Sequence, residues 1–240
     1  MNNRKIKVVA MDLDGTLTQH KQPLDAAHKE ALNKLQQKYK LLMVGAGQVD
    51  RIFNQMEQFP IDIIGNYGLQ YGVYNTNTKS MDIIRDLRFP LDKDCIEKRV
   101  ISLREKFGYT DYIGDNVEFH PSGCITFPLL GTKAKAEDKL IFDPDRTKRR
   151  KMYDEVVAVF SDYVVFIGGS SSFDMAPMPY NKYYALDMYC KENNLTHENV
   201  IYIGDDYGLG GNDESVYKSD FPYLMIDNYR DFTKIIKTIL

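Results

Sequence analysis

The β-rich run through Ile6, Val8 and Val9 breaks off at Asp12-Leu13-Asp14-Gly15-Thr16. This change from strand formers to carboxylates and turn formers constrains the fold more than any other stretch, because it predicts a buried strand that ends in a tight acidic loop. Leu24, Ala27, Ala31, Leu32 and Leu35 then recur at helical spacing, with Lys29, Glu30 and Lys34 on the other face. Leu41–Val44 reads as a second buried strand, Gly45-Ala46-Gly47 as a turn, Val49–Phe59 as a helix closed by Pro60, and Ile61–Ile64 as a third strand. Strand, helix, strand, helix predicts an α/β fold with a parallel sheet. A hairpin is expected at Tyr67–Tyr74.

From about Met81 the pattern becomes α+β. Helices are expected at Asp94–Phe107 and Thr147–Phe160, with short strands at Val117–His120, Cys124–Pro128 and Tyr163–Ile167. The α/β pattern resumes with a helix at Lys182–Asn193 and the apolar strand Val200–Ile203. The simplest architecture is an α/β core interrupted by an inserted α+β domain, which 240 residues can accommodate.

Composition excludes several function classes. With 31 basic against 34 acidic side chains the chain is no polycation, so no nucleic-acid partner is expected, and the basic stretch Arg146–Lys151 reads as a solvated helix start. Apolar stretches fall far short of the roughly 20 residues of a membrane span, so no membrane partner is expected either. The run Val8–Met11 meets Asp12 before a secretory apolar region forms. Cys95, Cys124 and Cys190 lack C-x-x-C spacing, which argues against a disulfide framework and a thiolate zinc site. A reduced, cytoplasmic protein is expected.

A second acidic loop, Gly204-Asp205-Asp206-Tyr207-Gly208-Leu209-Gly210-Gly211-Asn212-Asp213, also follows a buried strand. Ligands of open parallel sheets gather beyond the carboxyl ends of the strands, where both acidic loops belong. Mg2+ prefers hard oxygen ligands, and Asp12, Asp14 and Asp205 would suit it. Asp12 and Asp14, one residue apart on an irregular loop, can present one oxygen to a phosphorus atom and another to a leaving group. Lys182 opens a helix shortly before the second acidic strand.

In order and spacing these segments resemble the haloacid dehalogenase (HAD) superfamily of phosphotransferases. The resemblance implies a Rossmann-like core at 1–82 and 177–240, with a cap domain inserted at 83–176. It makes Asp12 the nucleophile, Asp14 the general acid/base and Lys182 the cation that stabilises nucleophile and phosphate. Asp12, Asp14, Asp205 and Asp213 become the Mg2+ ligands, Asn212 supporting Asp213. The superfamily's loop after the second strand usually offers Ser or Thr to the phosphate, but here it reads Gly45-Ala46-Gly47-Gln48. Phosphate binding then falls to the N–H groups of Gly45, Ala46 and Gly47, or to Gln48, together with Lys182.

Within the superfamily the chain is similar to eukaryotic-type phosphomannomutases. Glu118-Phe119-His120-Pro121-Ser122-Gly123, Gly168-Gly169-Ser170-Ser171-Ser172-Phe173-Asp174 and Gly210-Gly211-Asn212-Asp213 carry the similarity. It implies sugar contacts from Ser172 and Asp174, and a basic contact near the nucleophile from Lys21. The family's cap arginines, which grip a distal phosphate, fall on His120, Thr132 and Lys139, so the bidentate guanidinium fork is missing. The primary expectation is therefore a Mg2+-dependent phosphohydrolase acting on a small phosphorylated metabolite, in the first instance a sugar phosphate. Lys133, Lys135 and Lys139 keep a hexose phosphomutase as the alternative, and a non-catalytic phosphosugar-binding protein is the third reading. A homodimer is allowed.

Overall fold

Strands whose side chains are apolar on both faces need cover on both faces, and Val8–Met11 sits where that cover is complete. In the structure, a computed structural model that describes residues 5–240, the chain begins with β1 (Val8–Met11), α1 (Ala26–Gln36), β2 (Lys40–Val44), α2 (Val49–Gln55), β3 (Asp62–Gly65), β4 (Gln70–Asn75) and β5 (Ser80–Asp86). It continues with α3 (Lys93–Phe107), β6 (Glu118–Phe119), β7 (Ile125–Pro128), α4 (Ala136–Phe142), α5 (Thr147–Val159), β8 (Tyr163–Phe166) and β9 (Ser172–Pro177). The last segment holds α6 (Lys182–Glu192), β10 (Val200–Gly204), α7 (Glu214–Tyr217), β11 (Tyr223–Met225) and α8 (Phe232–Ile235).

Two units result. The first takes in the described residues through Asp86, with Asn181–Gly208 and Asp213–Leu240; the second takes in Leu87–Tyr180 and Leu209–Asn212. The first holds a seven-stranded sheet in the order β11-β10-β1-β2-β3-β4-β5, parallel from β11 to β3 and antiparallel beyond. Val9 and Met11 pack with Leu32 and Leu35 of α1, Ile52 of α2 and Phe232 of α8. Val8 and Ala10 pack on the opposite face with Leu186 and Tyr189 of α6. This is the doubly covered parallel sheet of a Rossmann-like core. The second unit has its own antiparallel sheet, β6-β7-β9-β8, and its own apolar core around Val100, Phe127, Val156 and Phe173.

The unit boundaries at 87 and 180 differ from the expected 83 and 176, and residues 1–4 of the expected core lie outside the described residues. The physical reason is β5, which pairs with β4 through Asp86 and so belongs to the core sheet. The expected hairpin at Tyr67–Tyr74 is displaced for the same reason. A 3-10 turn occupies Asn66–Gly68, β4 follows it, and the second arm is β5. Helices α4, α7 and α8 and strands β9 and β11 have no counterpart in the sequence reading, each being short or next to a glycine-rich stretch. No helix among the described residues is long and apolar enough to cross a membrane.

Arg149, expected on a solvated helix start, is instead buried. Its Nε donates to Asp143 Oδ2 at 2.8 Å, and its Nη1 reaches the carbonyls of Gly168, Gly169 and Ser172 at 2.6, 3.1 and 3.2 Å. The guanidinium therefore ties α5 to the loop before β9. Burial alone would raise the Asp143 carboxyl, but Arg149 and the N–H groups of Lys148 and Arg149 outweigh it and hold the pKa below the ordinary value. A depressed carboxyl stabilises the fold above the unfolded pKa of about 3.9, and that contribution is lost as pH falls through the folded value. Asp143→Asn is expected to destabilise the protein at pH 7 by about 3–5 kcal/mol, because a buried guanidinium loses its partner. Melting curves from pH 7 to pH 3 should show wild type and variant converging at the acid end, and a constant gap would contradict the assignment.

Candidate active site

Strand register brings the two acidic loops together. Met11 of β1 sits beside Ile203 of β10 and Met43 of β2, and the Asp12 N–H donates to the Ile203 carbonyl at 3.0 Å. Asp12, which follows β1, and Gly204 and Val44, which end β10 and β2, thus lie at one edge of the sheet. Leu17 and Thr18 N–H groups fold back on the Leu13 carbonyl, which closes the first acidic loop. Gly15 lies at φ 94°, and a Cβ there would collide with the Asp205 carboxylate, so only glycine lets the two loops meet.

Lys182 is the first residue of α6, whose start is fixed by Asn181 Oδ1 accepting from Tyr184 N–H at 2.8 Å. The fully buried ammonium lies 2.8 Å from Asp12 Oδ1 and 2.8 Å from Asp213 Oδ1. Tyr202 donates its hydroxyl to the same Asp213 oxygen at 2.6 Å, and Asp213 Oδ2 accepts from Asp206 N–H at 3.0 Å. Asp205 Oδ1 accepts from Thr16 Oγ1 at 2.8 Å. One oxygen each from Asp12, Asp205 and Asp213 lie within 4.8 Å of one another.

One ammonium facing three carboxylates leaves the cluster short of positive charge. Burial holds the Asp12 carboxyl well above its ordinary value, Lys182 opposing and Asp213 and Asp205 adding to the shift. Burial, then the Asp213 charge, pushes Asp205 up to about 6. Burial works against the Lys182 ammonium, yet Asp12 and Asp213 carry its pKa above the ordinary value. Hard oxygen donors with surplus negative charge fit a divalent cation such as Mg2+.

Asp14 does not share this cluster through its carboxylate. Its Oδ1 accepts from Gln55 Nε2 at 2.6 Å and from the Lys21 backbone N–H at 2.7 Å. Lys21 therefore meets Asp14 through its backbone, while its side chain is exposed. Asp213, expected mainly as a metal ligand, has both oxygens engaged and anchors Lys182. In the phosphate loop the Gly45 N–H is spent on the Ile64 carbonyl at 2.9 Å, because the sheet extends that far. Among the described residues the N–H groups of Ala46 and Gly47 meet no protein acceptor, and the Gln48 side chain is exposed.

Of the candidates in the second unit, His120 and Asp174 meet through Thr126, while Ser172 and Lys139 bond to backbone carbonyls elsewhere. Thr126 Oγ1 donates to Asp174 Oδ1 at 2.9 Å, and His120 Nε2 lies 3.2 Å from the same hydroxyl. Burial raises the Asp174 carboxyl above its ordinary value, with Thr126 and His120 opposing. Ser172 Oγ donates to the Gly168 carbonyl at 3.1 Å. Lys139 Nζ donates to the Thr132 carbonyl at 3.1 Å, and Thr132 Oγ1 donates to Asp115 Oδ2 at 3.0 Å. Asn212, expected to support Asp213, falls in this unit with Leu209–Gly211.

Sequence reasoning assigned no role to Thr16, Gln55 or Tyr202. Thr16 closes the D-x-D-G-T motif and Tyr202 is the one hydroxyl within Val200–Ile203, so both carried a signal; Gln55 carried none.

Residues 28–240 match the family model described as eukaryotic phosphomannomutase. The chain belongs to that family. Phosphomannomutase 2 of Dictyostelium discoideum is 24% identical over 224 residues, covering 90% of this chain and 88% of the relative. Phosphomannomutase of Encephalitozoon cuniculi is 25% identical over 260 residues, covering 97% and 94%. Among solved structures, a phosphatase of the haloalkanoate (HAD) enzyme superfamily from Bacteroides thetaiotaomicron superposes with TM-score 0.64 at 15% identity, over 98% of this chain and 95% of its own. An N-terminally truncated IMP-nucleotidase of Plasmodium falciparum superposes with TM-score 0.69 at 16% identity, over 99% and 71%. At those identities the likeness establishes the fold, a HAD Rossmann-like core with a cap.

Proposed function

We propose that the chain is a phosphomannomutase-like hexose phosphomutase that moves a phosphoryl group between hydroxyls of a sugar phosphate by way of Asp12. The observation that carries this reading is the buried Lys182 ammonium, 2.8 Å from an Asp12 oxygen, with Asp205 and Asp213 in the same cluster. Family membership favours the mutase outcome over the phosphohydrolase that the missing arginines suggested.

An Asp12 oxygen attacks phosphorus, and the bond to the sugar oxygen breaks as the aspartyl phosphate forms. Asp14, held by Gln55 and the Lys21 N–H, protonates the departing alcohol and later takes the proton of the incoming hydroxyl. Lys182 offsets the charge that gathers between nucleophile and phosphoryl oxygens. A Mg2+ held by Asp12 and Asp205, with Asp213 behind them, would add Lewis-acid stabilisation of that charge. No water is consumed in the mutase cycle.

A specific observation favours hydrolysis as the second reading. His120, Thr132 and Lys139 stand where the resemblance places arginines, and the Lys139 ammonium already binds the Thr132 carbonyl. The test is mannose 1-phosphate with Mg2+ and a catalytic amount of hexose bisphosphate, followed by phosphorus NMR. The 6-phosphate is expected to form faster than inorganic phosphate, and EDTA is expected to stop both. Inorganic phosphate forming faster would establish the hydrolase instead, and neither product forming would sink both readings.

A further inference from the structure

The phosphate loop has no hydroxyl, yet the space a side chain at position 47 would fill is taken. A Cβ built on Gly47 would fall inside contact distance of Nη2, Nε and Cζ of Arg51. Helical side chains lean back toward the N-terminus, so Arg51, four residues on and inside α2, lies over the loop that precedes the helix. Its Nη1 donates to Gln55 Oε1 at 2.9 Å and lies 3.8 Å from Asp14 Oδ2. Gln55 in turn donates to Asp14 Oδ1 at 2.6 Å. The guanidinium therefore sits between the glycine of the phosphate loop and the carboxylate expected to serve the leaving oxygen.

We infer that Arg51 replaces the missing hydroxyl as a ligand of the transferring phosphoryl group. This rests on the phosphotransfer reading of the site. Ala46 and Gly47 N–H groups have no protein acceptor among the described residues, so a planar guanidinium above them completes a cradle of N–H donors. Arg suits phosphoryl oxygens because its paired N–H groups match their spacing and its charge is permanent. It also brings a second cation to a site where carboxylates outnumber Lys182. Glycine at position 47 is what allows this: any larger residue would push the guanidinium out.

The experiment compares wild type, Arg51→Ala, Arg51→Lys and the double variant Gly47→Ser/Arg51→Ala, all with Mg2+. Inorganic phosphate binding is measured by calorimetry, and transfer from mannose 1-phosphate by phosphorus NMR. Arg51 is exposed on one side, so melting curves should show each variant folded. Arg51→Ala is expected to weaken phosphate binding and kcat/KM by about ten- to a hundredfold, the weight of a charge-assisted hydrogen bond. Arg51→Lys should recover part of the loss. The double variant should regain severalfold in phosphate affinity, because a serine hydroxyl can then occupy the vacated space, whereas it cannot replace the contact with Asp14. Wild-type phosphate affinity in Arg51→Ala would overturn the inference, even if kcat fell, since the guanidinium would then act on Asp14 alone. Phosphate binding is read without turnover. A wild type that transfers nothing thus sinks the phosphomutase reading while leaving the Arg51 measurement decisive.

Discussion

Replacing Lys182 by Met is expected to lower kcat by roughly a hundred- to a thousandfold, the usual cost of removing a donor aimed at charge that develops in the transition state. The same change should also loosen the fold. Lys182 is fully buried and holds Asp12 and Asp213 together, so its loss leaves two carboxylates facing each other without their cation. Breaking a buried ion pair by removing one partner costs about 3–5 kcal/mol. Denaturant titration at pH 7 and steady-state kinetics on one preparation would measure both effects. A variant that keeps its stability and its rate would show that the ammonium is a bystander.

Asp12→Asn should separate the two effects. The amide cannot accept a phosphoryl group, so transfer is expected to fall by about ten-thousandfold or more, as when a covalent nucleophile is removed. Stability should change far less. Asp12 is held in a cluster that burial and its acidic neighbours already make unfavourable for another negative charge, and Lys182 keeps Asp213 as a partner. A loss in melting temperature as large as that of Lys182→Met would contradict this account, as would transfer within tenfold of wild type. Together the two variants ask different questions: Lys182 is needed by fold and chemistry, Asp12 by chemistry.

Much of the core was legible because its signals are local. Val8–Met11, Leu41–Val44 and Val200–Ile203 are continuous apolar runs, and such runs form parallel strands buried on both faces. The helices that begin at Lys93, Thr147 and Lys182 start within a residue of expectation, since capping and periodicity are properties of a few neighbouring residues. The core's edge was harder to read. Strand β5 alternates poorly and carries exposed Ile83 and Ile84, so nothing local marks it as the last strand of the core sheet. Arg149 looked like surface because its partners, Asp143 and three loop carbonyls, are brought to it by folding.

Residue type and local spacing by themselves determined the alternating core, the two acidic loops at strand ends, and the lysine that opens α6. Only the tertiary structure decided which oxygens Lys182 touches, that Asp14 rests on Gln55, that the Gly45 N–H belongs to the sheet, and that Arg51 covers Gly47. The physical reason is distance along the chain. Thr16 and Asp205 are 189 residues apart, and their hydrogen bond exists because the parallel register of β1 on β10 sets it.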